Sequence, residues 1–340
     1  MTALRGEADR AALSTMLWGF FPAQVVRTLA ALGVPDALGE RPQGTPGLAG
    51  RIGADPGALG RLLRAAAGLG LLDHDPAGAW SLTATGELLR TGVPGAVGNL
   101  AQLFCGDPVW RSWGMLEWSV RTGRTAFEEV TGRSAFEHMA ADPAMLAVFT
   151  EAMAEGTRAA APGAVASCDL DGVDTLVDVG GGNGTLLAAF LAARPGLRGV
   201  LFDTPSGVLG ASDVLDPARA EVVVGDMFDS VPRGDAHVVK SVVHDWSDER
   251  SVALLTRVRE AMPAHGRLFL VEPVLAEDRE GWAGQFGMLM SDLNMLVAVG
   301  GRERTLAEFG ALLDAAGLRL TDVVRFPPPT GYSALRAVPA

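Results

Sequence analysis

A chain of 340 residues, 48% of them hydrophobic, suits two domains with ample material for a core. Its net charge of −12 repels a polyanion and sets nucleic acid aside as a partner, and two cysteines, Cys105 and Cys168, make no disulfide framework, so a reducing cytoplasm is expected. The apolar stretches at 16–26 and 288–299 are broken by Pro22, Asp292 and Asn294, short of the roughly 18–20 residues of a membrane span, and the charged N-terminus is no secretory signal.

The first hundred residues read as short helices with a small hairpin. Apolar residues recur at helical spacing over 13–32, and 45–52 and 56–72 predict two more helices, each opened by an N-cap type residue or an early proline. The turn Asp75-Pro76-Ala77-Gly78 separates 71–73 from 79–82 as a hairpin. Helix, helix, hairpin is the winged-helix order, and a regulator built on it is the non-enzyme alternative. Residues 1–100 hold eight Arg against eight Asp plus Glu, which opposes DNA reading. Trp18, Phe20 and Phe21 exceed what a small helical layer hides and predict a homodimer through a winged-helix-like domain at 1–103. Residues 104–163 are helical again, and their Trp110, Trp113, Trp118, Phe127, Phe136 and Phe149 offer core and the lining of an apolar pocket.

From 164 to 340 the predicted class is α/β: a Rossmann-like, doubly wound, mostly parallel sheet with an antiparallel hairpin at its end. Strand-like runs at 175–179, 199–202, 220–224, 236–241 and 267–271 alternate with helices at 185–193, 206–215 and 247–261 and a brief turn near Asp229. Helices at 283–297 and 305–316 follow, and 318–326 with 333–338, joined by Pro327-Pro328-Pro329-Thr330-Gly331, form the hairpin.

The segment Val179-Gly180-Gly181-Gly182-Asn183-Gly184-Thr185 joins a strand to a helix, and its glycines let the backbone lie against a ligand. Thr185 stands where a dinucleotide fingerprint has its third glycine, and no P-loop lysine follows, so an adenosine-type ligand without a pyrophosphate fits better. Asp203, at the next strand end, can accept from ribose hydroxyls, and Asp226, one strand further, from an adenine amino group, with Met227 and Phe228 packing on the base.

Taken in order, LVDVGGGNG, LFDTPSGV, GDMF, VVKSVVHDWSDE, LFLVEPV and GGRERTLAEF resemble the small-molecule O-methyltransferases of the caffeate, acetylserotonin and anthracycline type, over nearly the whole chain. The resemblance implies methyl transfer from S-adenosylmethionine, leaving S-adenosylhomocysteine, to a phenolic hydroxyl of a small aromatic metabolite. It implies His244 as general base, with Glu272 and Glu303 flanking the imidazole. Gly180, Gly182, Asp203, Asp226, Met227, Lys240 (the chain's one lysine), Ser241 and Trp246 are the expected cofactor contacts. Phe149, Met153 and Asn294 are the expected acceptor contacts, with Asp245 open between acceptor contact and local N-cap partner.

A phenol with a pKa near 10 is a poor nucleophile at neutral pH, and an imidazole oriented by a carboxylate can take its proton. A glutamate just ahead of a helix, as Glu303 is, also suits a merely favourable N-terminal charge. Relatives that have drifted to hydroxylation, decarboxylation or iron-dependent C-methylation are the enzymatic alternatives. Residues 285–305 contain no histidine for such an iron, and His74, His138, His237 and His265 lack metal spacing, so no metal site is expected.

Overall fold

The computed structural model describes residues 2–39, 41–327 and 330–340, the side chains of residues 2–8 excepted. The chain divides into two compact units, 1–110 and 111–340. The boundary expected at 163/164 falls inside one continuous helix, Pro143–Ser167, so the aromatic helical segment is no separate domain. That helix passes through Pro162, and its alanines, Ala154, Ala160, Ala161 and Ala164 among them, are buried along its length.

In the N-terminal unit the expected helix over 13–32 is two helices, Thr2–Trp18 and Phe20–Ala31. Pro22 has no N–H to give to the carbonyl of Trp18, and its ring crowds that carbonyl, so one helix stops and the next starts with Pro22 in its first turn. Strand β1 (Gln43–Gly44) leads into the helix Thr45–Ile52. Asp55 caps the helix Pro56–Gly68 by accepting from the Ala58 N–H at 2.7 Å. Strands β2 (Leu72–His74) and β3 (Ala79–Leu82) form the expected hairpin. The unforeseen β1 pairs with β3, giving the order β1-β3-β2. Leu29, Leu48, Leu63 and Trp80 fill the core under this sheet, while Met16, Leu17 and Trp18 stay 75%, 67% and 59% exposed.

The second unit is built on one sheet. Its strands are β4 (Thr175–Val179), β5 (Arg198–Asp203), β6 (Ala220–Val224), β7 (Ala236–Lys240), β8 (Arg267–Leu275), β9 (Arg304–Thr305), β10 (Leu318–Arg325) and β11 (Tyr332–Pro339). They lie in the order β10-β11-β8-β7-β4-β5-β6, with β9 beside the far end of β8. Pairs among β4 to β8 are parallel, and β11 runs antiparallel to both β8 and β10, which is the expected terminal hairpin. Part of the linker named for that hairpin, Pro328 and Pro329, lies outside the described residues.

Alternation along the strands separates two cores: Leu176 and Val238 face one side of the sheet, Val177, Val179 and Val239 the other. Strand order reverses at β4, with β5 on one side and β7 on the other, so a crevice opens at the carboxyl ends of β4, β5 and β7.

Three expected elements differ. The helix at 206–215 shrinks to Ala211–Val214, because Thr204 takes the Gly207 N–H in a local turn and Gly210 sits at φ +80°. The helix at 283–297 begins later, as Phe286–Ala298, after a separate short helix, Arg279–Trp282. Strand β8 runs to Leu275, so Glu272 sits inside it rather than at its end. Among the described residues no helix is long and apolar enough to cross a membrane.

Candidate active site

The glycine loop leaves β4 with Gly180 at φ +69° and Gly182 at φ +59°, conformations that cost a side-chain-bearing residue. At Gly180 an added Cβ would also stand 2.7 Å from a methyl of Val242, so this loop and the turn after β7 are in direct contact. The Gly182 N–H donates to Asp203 Oδ2 at 2.8 Å, tying the loop to the end of β5. Burial raises the Asp203 pKa, against the pull of the Gly182 and Thr204 amides. Gly207, which the sequence reading passed over, has no room for a side chain: its Cβ would lie 2.1 Å from Asp203 Oδ1. The signal was there in a glycine four residues after the carboxylate it shelters.

Asp226 follows β6 and spends one oxygen on the Phe228 N–H at 2.8 Å. Beyond it the aromatic rings form a chain. Phe228 meets Trp246 edge-on at 4.9 Å, Phe136 stacks on Trp246 at 5.8 Å, and Phe149 meets Phe136 at 6.5 Å. The Arg250 guanidinium lies 3.7 Å over Phe228 and 4.6 Å over Trp246, a cation–π contact absent from the expected set. The indole N–H of Trp246 is buried with no hydrogen-bond partner among the described residues.

At the end of β7, Lys240 Nζ donates to Ser241 Oγ at 3.0 Å, and Ser241 Oγ lies 2.8 Å from the hydroxyl of Tyr332. Ser241 adopts φ +53°, a left-handed conformation that a residue with a side chain holds only where its surroundings insist. Tyr332, the chain's single tyrosine, was also missed.

His244 sits on a 3₁₀ turn, Val243–Asp245, directly after this segment. Its Nδ1 is 3.3 Å from Glu303 and 3.5 Å from Glu272, and its Nε2 is 3.6 Å from Asp245. These are ion-pair distances without hydrogen-bond alignment, as Nδ1 and the Oε2 atoms of Glu272 and Glu303 have no hydrogen-bond partner among the described residues. Burial alone would lower the imidazole pKa. Glu272, Asp245 and Glu303 together outweigh it and hold the ring protonated well above its ordinary range. Burial likewise pushes Asp245 up to about 7, and raises Glu272. Asp245 is no N-cap partner: Ser247 caps the following helix, Asp248–Ala261, and the Asp245 carboxylate faces the imidazole.

Glu303 is held from two sides. Ser291 Oγ donates to its Oε1 at 2.7 Å, and its own N–H donates to Asp292 at 2.9 Å. Three residues beyond Ser291 on the same helix, Asn294 accepts the Trp113 indole N–H at 2.9 Å. Because that indole only donates, the Asn294 oxygen is committed and its NH₂ is left to other partners. Met153 lies four residues past Phe149, on the same half-buried face of its helix. Among the described residues no three His, Cys, Asp or Glu are arranged to hold a metal ion.

Residues 113–319 match the O-methyltransferase domain family, and residues 15–92 the O-methyltransferase dimerisation domain. The O-demethylpuromycin-O-methyltransferase of Streptomyces alboniger is 40% identical over 333 residues, covering 96% of this chain and 88% of its own. Among solved structures, the mitomycin 7-O-methyltransferase superposes with a TM-score of 0.91 at 32% identity, over 100% of both chains. An O-methyltransferase from neocarzinostatin biosynthesis, solved with S-adenosylmethionine and 2-hydroxy-5-methyl naphthoic acid, superposes at 0.79 with 31% identity, over 94% of this chain and 96% of its own.

Proposed function

Since the chain belongs to the O-methyltransferase family, we propose that it methylates a phenolic hydroxyl of a small aromatic secondary metabolite at the expense of S-adenosylmethionine, with His244 as general base. The observation that carries this reading is the buried imidazole of His244, flanked by Glu272 and Glu303 at Nδ1 and by Asp245 at Nε2, on the turn that follows β7.

The crevice suits an adenosine-type cation. Asp203 and Asp226 bring carboxylates to neighbouring strand ends, and Gly180 and Gly182 leave the main chain bare. Met227 and Trp246 supply apolar surface, the latter with an indole N–H still to be satisfied, and Lys240 and Ser241 close the end of β7. When bound, S-adenosylmethionine supplies an electrophilic methyl group. His244 Nε2 takes the proton from the acceptor hydroxyl, while Glu272 and Glu303 orient the ring through Nδ1 and support the charge it gains. Phe149, Met153 and Asn294 hold the acceptor ring, and the surrounding aromatics keep water from it. The remaining acceleration is positional, because one well-aimed hydroxyl replaces a bimolecular encounter. The exposed Met16, Leu17 and Trp18, within the segment matched to the dimerisation domain, form the surface through which two copies pair. The free thiols Cys105 and Cys168 fit a cytoplasmic enzyme.

The test is incubation with trideuteriomethyl-labelled S-adenosylmethionine and a panel of hydroxynaphthoates, hydroxyphenazines and demethylated aminonucleosides, read by mass spectrometry. One labelled methyl on oxygen is expected for at least one aromatic class. Folded protein that binds S-adenosylhomocysteine yet labels only carbon would overturn the assignment to oxygen.

A further inference from the structure

The largest fully buried side chain among the described residues is a charged one, Arg304. A guanidinium at 0% exposure is expensive unless every donor is used and the charge is paired. Arg304 meets both conditions, and its partners enclose His244. Nη1 donates to the Val243 carbonyl at 2.9 Å and Nη2 to the Trp246 carbonyl at 2.7 Å, the residues just before and just after the 3₁₀ turn's His244-Asp245 pair. Nε and Nη2 share Asp248 Oδ1 at 3.1 and 2.9 Å, Nη2 reaches Ser251 Oγ at 3.4 Å, and Nη1 also reaches the Arg302 carbonyl at 3.4 Å.

The same turn is gripped elsewhere by opposite chemistry. Glu272 Oε1 accepts the N–H groups of Val242 and Val243 at 3.0 and 2.9 Å, and the Arg302 N–H donates to the His244 carbonyl at 2.8 Å. A carboxylate therefore holds the turn's amides and a guanidinium its carbonyls. Arg304 is also the chain neighbour of Glu303. In this extended segment side chains alternate, so Arg302 and Arg304 reach Asp248 while Glu303 points to the imidazole. One anchored residue thus fixes both members of the His244–Glu303 contact.

We infer that Arg304 is a positioning residue for the His244 imidazole, setting its distance and angle to Glu303 by clamping the carbonyls on either side of it. The inference builds on the proposed role of His244. Arg304 touches no reacting atom. Its planar fork of five donors serves three carbonyls, a carboxylate and a hydroxyl at once, which the three donors of a lysine on a flexible stem do not.

The experiment uses the full-length protein with Arg304→Lys, Arg304→Met and Asp248→Ala, the last removing the half-exposed anchor of the guanidinium. Glu249→Ala is the control, removing the same charge one residue along without touching Arg304. Each variant is measured for melting temperature, S-adenosylhomocysteine affinity by calorimetry, and kcat and KM. The His244 ring is titrated by NMR with and without S-adenosylhomocysteine, its signal assigned by its loss in His244→Ala.

In Arg304→Lys we expect affinity within about threefold of the parent, kcat lowered by up to about 100-fold, as for a misplaced catalytic group, and a His244 titration moved to lower pH as the ring loosens from Glu303 and Glu272. Asp248→Ala should move kcat and the titration in the same direction by less, and Glu249→Ala neither. If both Arg304 variants fail to fold, Asp248→Ala decides: a shifted His244 titration in folded protein supports the clamp, an unshifted one overturns it. Folded Arg304 variants with an unchanged titration overturn it too, as does loss of melting temperature and affinity with no change at His244. A fully active His244→Ala enzyme would remove the general base, while a His244 titration still shifted by Arg304→Lys would leave the positioning intact.

Discussion

At the scale of single residues the imidazole cluster carries the proposed chemistry. If His244 is the base, His244→Ala should keep affinity for S-adenosylhomocysteine and lower kcat/KM by roughly 100- to 10,000-fold, the usual worth of a positioned base. The loss should shrink for acceptors of lower phenol pKa, which arrive already ionised. Turnover across phenols of graded acidity checks this, and a uniform full rate would leave only proximity at work. The carboxylates add a pH signature. They hold His244 protonated well above the ordinary imidazole range, and a base must be neutral to act, so kcat/KM should climb with pH along a limb lying above about 6.5. Glu303→Gln removes one of the charges that raises that pKa, and the limb should then move to lower pH. An unmoved limb in a rate-versus-pH series would assign it to another group.

At the scale of elements, the loops after β4 and β5 are interlocked through close contacts that leave no room for a methyl group. Gly207→Ala would place a Cβ 2.1 Å from Asp203 Oδ1. The carboxylate must swing aside, since Gly207 has open backbone conformations and the clash is with a side chain. The expected outcome is a fall of about tenfold or more in S-adenosylhomocysteine affinity, the loss of about one good hydrogen bond to a charged group, with a melting temperature near the parent's. Calorimetry beside a thermal melt separates this from general destabilisation. Equal affinity would mean that Asp203 does not hold the ligand.

For the whole molecule, the buried Asp178 at the base of the glycine loop makes stability depend on pH. Its carboxyl is pushed up to about 7, chiefly by burial, with Lys240 pulling it down and Asp203 raising it further. The folded state therefore binds a proton that the unfolded chain, with an aspartate pKa near 3.9, gives up earlier. The contribution is fully present below about pH 4 and is lost as pH rises through about 7. Melting temperature should decline from pH 5 to pH 8, and Asp178→Asn should flatten the decline; parallel slopes would exclude Asp178 as a source. His244, also raised, adds in the same direction. The exposed Met16, Leu17 and Trp18 bear on assembly: light scattering should return about twice the 35.3 kDa of one chain, and Trp18→Glu should lower it. A monomer at micromolar concentration would leave that apolar surface to another partner.

Local pattern was enough for much of this protein. The βα alternation, the glycine turn at 180–184, the strand ends carrying Asp203 and Asp226, and the terminal hairpin follow from periodicity and turn chemistry, which act between near neighbours in the chain. The placement of His244 near Glu272 follows from β7 and β8 being adjacent parallel strands. Tertiary structure alone decided the rest, because it depends on contacts between distant residues. Nothing local announces that Glu303 crosses to His244 instead of serving the helix behind it, that Asp245 turns inward while Ser247 caps, or that Tyr332 reaches Ser241 across 91 positions. Arg304 reads in sequence as one more surface arginine. It is buried because β9 docks against the end of β8 and carries it under the turn that bears His244, where the carbonyls of Val243 and Trp246 need a donor that water cannot reach to provide.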